Sequence, residues 1–136
     1  NRYKDTIGRY IMKQILCGDC NNNILIVTSL IKKIIKEVKV EEWEITEFEA
    51  TPVDLGDWSG IGASENEHIS GLYIFSQRLL DERIIILNTK EFISLLKDIR
   101  SIYYAEISFA FMNQINTISI FDGDIIEITG YIEKIL

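Results

Sequence analysis

One proline, two cysteines and one histidine are all that the 136 residues hold of these types, and each scarcity excludes something. Cys17 and Cys20 alone cannot form the disulfide framework that staples small secreted domains. They do form a C-x-x-C, Cys17-Gly18-Asp19-Cys20, but there is no second pair and only His68 to complete a zinc site. No metal is therefore expected. The same two thiols read as lying past the end of a helix, where the dipole and Asp19 would both disfavour a reactive thiolate. Long hydrophobic runs are missing too. Nothing approaches the roughly 20 apolar residues of a membrane span, and the opening residues show neither region of a secretory leader. A reduced, cytoplasmic setting is the expectation, with no membrane partner.

Nucleotide and nucleophile motifs are absent or incomplete. Gly60-Ile61-Gly62 lacks the third glycine of the dinucleotide fingerprint, and no G-K-[ST] occurs. Gly56-Asp57-Trp58-Ser59-Gly60 is not the G-x-S-x-G elbow. Asp122-Gly123-Asp124 with Glu127 does not have calcium-loop spacing, and a hairpin turn accounts for it. No cofactor and no catalytic residue are expected.

What the chain does contain is ample apolar material, 47% by residue, with 26% charged, which fits a folded domain rather than a disordered chain. The length suits one domain spanning 1–136. Tyr3, Ile7, Ile11 and Ile15 recur four apart and predict a helix from Tyr3 to Cys17. Val27, Ile31, Ile34, Ile35 and Val38, with lysines opposite, predict a second from about Ile24 to Lys39, with Asn21–Asn23 supplying its cap. After Val40 the period becomes two: Trp43 and Ile45 alternate with Glu42, Glu44 and Thr46, then Phe48 and Ala50 resume one residue out of phase. That slip predicts a strand bulged near Thr46–Glu47. Residues 54–70 read as a long loop. Strands are expected at 72–80, 83–87, 103–111, 115–121 and 125–132, and a helix at about 90–101. The expected fold is α+β: two N-terminal helices followed by a mainly antiparallel sheet of about five to six strands, with one further helix.

Charge is the most uneven feature. No Lys or Arg lies between Lys39 and Arg78, while residues 41–67 hold nine acids: Glu41, Glu42, Glu44, Glu47, Glu49, Asp54, Asp57, Glu65 and Glu67. The segment carries −9; elsewhere twelve acids face fourteen bases. A net charge of −7 argues against a nucleic-acid binder. Charge packed this densely repels itself. It would serve a solvated strand face guarding an edge. It would equally serve a surface for a cationic partner, with Trp43 and Trp58 as aromatic anchors inside the acidic rim. Nucleases have basic clefts because their substrate is polyanionic. The expectation is therefore an immunity-protein or antitoxin-type inhibitor, without turnover of its own, that binds a basic partner such as a nuclease toxin domain. The binding residues would be Glu42, Trp43, Glu44, Glu47, Glu49, Asp54, Asp57, Trp58, Glu65 and Glu67. Two alternatives come from other classes: a small enzyme or ligand-binding domain using the 54–70 loop and His68, and an assembly subunit pairing through its sheet edge.

Overall fold

A computed structural model describes residues 12–53, 71–132 and 136. Among these residues nine elements follow one another: β1 (Met12–Leu16), α1 (Ile24–Glu37), β2 (Glu42–Pro52), α2 (Gly71–Glu82), β3 (Ile85–Asn88), α3 (Thr89–Leu96), β4 (Ile99–Phe111), β5 (Gln114–Phe121) and β6 (Ile125–Thr129). The six strands form one sheet, in the order β1-β6-β5-β4-β2-β3, and every neighbouring pair is antiparallel. The α+β class therefore holds, but helices and strands are interleaved. The expected order of two N-terminal helices followed by the sheet is wrong.

Two elements cause that correction. The stretch expected to be helical up to Cys17 is a strand over Met12–Leu16, paired with β6 through Ile15↔Ile126 and Leu16↔Ile125; the rest of that expected helix lies outside the described residues. Four-residue spacing of isoleucine is also an even spacing, so it satisfies a strand as well, and the partner decides. Conversely, the stretch expected as a strand at 72–80 is helix α2. Tyr73, Ile74 and Phe75 favour strands as residue types, but Leu72, Phe75 and Leu79 lie at i, i+3 and i+7 and turn toward the core. The start of α2 is tied down from outside the helix, by the Gly71 N–H donating to Asp98 Oδ2 at 3.0 Å. Helix α3 is shorter than expected. It opens with a reciprocal capping box between Asn88 and Glu91 and stops at Leu96, and Ile99 already belongs to β4.

The helices cover one face of the sheet. Val27, Leu30, Ile31 and Ile34 of α1 and Phe92, Leu95 and Leu96 of α3 are buried with the inward residues of the strands. Trp43 belongs to this core and is 0% exposed, its ring 4.9 Å from Phe92 and 5.0 Å from Phe109 between centroids. Phe48 meets Phe75 of α2 edge-on at 5.4 Å. Asn23 was expected to cap α1 with its side chain, and it does not. That side chain is wholly buried and holds β4 and the β5–β6 turn instead.

Two tight turns connect the last three strands. Asp122 and Gly123 have φ of 54° and 68°, and the Asp124 N–H returns to the Phe121 carbonyl at 3.0 Å, the geometry the Asp-Gly pair predicts. A Cβ on Gly123 would lie 2.9 Å from both the Cys20 carbonyl oxygen and the Tyr103 ring, so glycine is needed for space as well as for conformation. Between β4 and β5, Met112 and Asn113 have φ of 57° and 58°. Methionine in the left-handed region costs about 1–2 kcal/mol, and Met112 is 57% exposed with nothing to gain from packing. Met112→Asn or Met112→Gly should therefore raise stability by about 1 kcal/mol, seen as a melt a few degrees higher. An unchanged or lowered midpoint would show that the turn is not strained at Met112.

Candidate functional site: an acidic sheet face

The face of the sheet opposite the helices collects the acids. Along β2, Trp43, Ile45 and Phe48 point inward, while Glu42, Glu44, Thr46, Glu47 and Glu49 are exposed. Strict alternation from Glu44 would have sent Glu47 into the core. Register against β4 shifts between Ile45 and Glu47, so that Ile45 pairs with Ile107 and Glu47 with Glu106, and Thr46 is the extra residue. This bulge, at the position the phase slip predicts, keeps four glutamates on one face.

Strand β4 adds a fifth carboxylate that sequence reasoning missed. Glu47 and Glu106 are register partners in adjacent strands. The signal was present, because the inward alternation of Ala105, Ile107 and Phe109 places Tyr104, Glu106 and Ser108 on the other face. The row continues through Ser119 and Glu127 to Gln14. Ser119 donates to Glu106 Oε1 at 3.1 Å, and Gln14 Nε2 donates to the buried Glu127 at 3.0 Å. Ser108 and Thr117 share a hydrogen bond of 3.2 Å in the next row.

Like charges directly opposite one another destabilise a sheet. Arg78 pairs with Glu82 on α2, whereas Glu42, Glu44, Glu47, Glu49 and Glu106 have no basic partner among the described residues. Tyr104 of β4 pairs with Glu49. Its hydroxyl donates to Asp122, and that bond, with the Asp122 charge, slight burial, Glu49 and Glu47 all acting the same way, pushes the phenol above its ordinary pKa.

The expected binding residues thus divide. Glu42, Glu44, Glu47 and Glu49 share this face. Trp43 is a core residue and offers no surface to a partner. Asp54, Asp57, Trp58, Glu65 and Glu67 lie outside the described residues, as do His68 and the 54–70 loop on which the enzyme alternative depends. Cys17 and Cys20 follow a strand rather than a helix, so the dipole argument made for them does not apply. Burial pushes the Cys17 thiol up, with the Asp124 carboxylate adding to it, while Cys20 is exposed. No group of three or more metal-ligating side chains occurs among the described residues, and no helix among them is long and apolar enough to cross a membrane.

No protein family, curated protein or solved structure matches the chain.

Proposed function

We propose that this chain is an immunity-protein or antitoxin-type inhibitor that binds and neutralises a basic partner enzyme, a nuclease toxin domain, through the acidic face of its sheet. The supporting observation is the Glu47–Glu106 pair, with Glu42, Glu44 and Glu49 alongside and no basic partner for any of them among the described residues. A fold has no internal use for such a pair, whereas a cationic surface laid over it would convert the repulsion into attraction. Same-face positions on a strand repeat at about 6.8 Å, so Glu42 with Glu44 and Glu47 with Glu49 form two such steps on either side of the bulge, and together they make a row of negative charge. A cleft built for phosphates would accept that row. Attraction of this kind acts mainly on the association rate.

The reading makes stability and binding move in opposite directions. Glu47→Lys places a cation beside Glu106 and should raise folding stability by about 0.5 kcal/mol. The same change should slow association with the basic partner and flatten its salt dependence. The measurement is a kinetic binding series at several salt concentrations against basic nuclease domains, beginning with any encoded beside the gene, with urea unfolding alongside. Parental association rates in Glu44→Lys/Glu47→Lys would place the interface elsewhere.

A further inference from the structure

A cleft of about 370 Å³ opens at one end of the acidic face, and its lining is specific. Its floor includes the small residues Ser108 and Ala110 of β4, and Ile86 of β3 and Ile115 of β5 line it as well. These isoleucines are 54% and 68% exposed. Two large apolar side chains thus stand open to solvent beside the carboxylates. The charged groups of the lining are Glu41, Glu42 and Glu44 against Lys39, three anions to one cation, and none of the four is ion-paired.

Resting on the reading above, we propose that this cleft is the socket for one arginine side chain of the basic partner. Arginine combines the two properties the lining asks for. Its methylene stem would lie against Ile86, Ile115 and Ala110, and long cationic side chains bury such stems readily. Its planar guanidinium carries five donors. Glu42 and Glu44 stand on one face about 6.8 Å apart by strand geometry, so the planar head reaches a carboxylate on either side. A lysine ammonium would bring a point charge to the same place without the fork. Lys39 weakens the negative field at the cleft but leaves its net sign unchanged.

The test needs no toxin. The protein, labelled with 15N, is titrated with N-acetyl-arginine amide and, separately, with N-acetyl-citrulline amide, which has nearly the same shape and no charge. Saturable shifts at residues 42–44, 86, 108–110 and 115 are expected with the arginine compound and not with the citrulline one. Ala110→Leu, which raises the floor, and Glu44→Gln, which removes a carboxylate, should each weaken that response about tenfold. Glu47→Gln, outside the cleft, should leave it nearly unchanged. Thermal melts establish that the variants are folded. An unsaturable response, an equal response to the citrulline compound, or an equal loss in Glu47→Gln would overturn the socket. Binding of a basic partner without the arginine response removes the socket alone, and the arginine response in a chain that inhibits no basic enzyme removes only the inhibitor reading.

Discussion

Trp43→Ala should cost about 3–5 kcal/mol of folding stability, the range for truncating a buried aromatic. The indole is wholly buried between Phe92 and Phe109. Its Nε1 donates to Thr89 Oγ1 at 2.9 Å, and the Thr89 hydroxyl in turn donates to the Val40 carbonyl. One side chain therefore joins β2, the start of α3 and the segment entering β2. Truncation removes the packing, leaves a cavity and breaks that relay. Trp43→Phe separates the parts, since it keeps most of the packing and deletes the N–H, at a cost of about 1 kcal/mol for the bond beyond what the smaller ring loses. Urea unfolding measures both. A Trp43→Ala protein that unfolds like the parent while binding a partner less tightly would return this residue to the surface role the sequence suggested.

The second large effect belongs to Asn23. Its Nδ2 donates to the carbonyls of Ile102 at 2.8 Å and Gly123 at 3.0 Å, and its Oδ1 accepts from the Ile102 N–H at 2.8 Å. Ile102 stands beside a register slip between β2 and β4, and Gly123 stands in the β5–β6 turn, so one side chain ties the two places together. Asn23→Ala leaves three buried groups without these partners, and at about 1–3 kcal/mol for each such group the loss should reach about 3 kcal/mol or more. Asn23→Asp keeps the shape and reverses the chemistry, setting a carboxylate against two carbonyl oxygens. That carboxyl would hold its proton more tightly in the folded state than in the unfolded chain, where its pKa is about 3.9. The penalty is then greatest at neutral pH and shrinks as the pH falls toward the unfolded value. Unfolding curves at neutral and acid pH should show the gap between parent and Asn23→Asp narrowing. Parental stability in both variants would mean that water replaces the asparagine.

Much of the local pattern was legible. Helix α1 follows from lysines opposite Val27, Ile31 and Ile34, and the Asp122-Gly123 turn from the turn chemistry itself. The β2 bulge could be read because two half-strands of opposite phase flank Thr46. Trp43 was harder, as its alternation with Glu42 and Glu44 says that it faces away from the acids, but not that helices wait on that side. The identities of β1 and α2 are set by what they pack against. Five residues of β1 acquire their conformation from β6, and the first turn of α2 from Asp98, which lies 27 positions further along the chain. The like-charge pair escaped for the same reason, since Glu47 and Glu106 meet only once the register of two distant strands is known.

The pairing of β1 with β6 has a consequence for synthesis. Gln14 and Glu127 are hydrogen-bonded across 113 positions of sequence, and the other partners of β1 are as remote. Strands β4, β5 and β6 are joined by turns of two or three residues, so they can pair as soon as they leave the ribosome. Residues 12–16 emerge first among the described strands and find their ladder last, because no β6 exists until residues 125–129 have been made. Throughout translation the first strand is thus an unclaimed sheet edge, open to chaperones or to the same strand of a neighbouring nascent chain. Its closure on β6 is the step at which the sheet becomes complete, and it leaves β1 as an edge strand with one side paired.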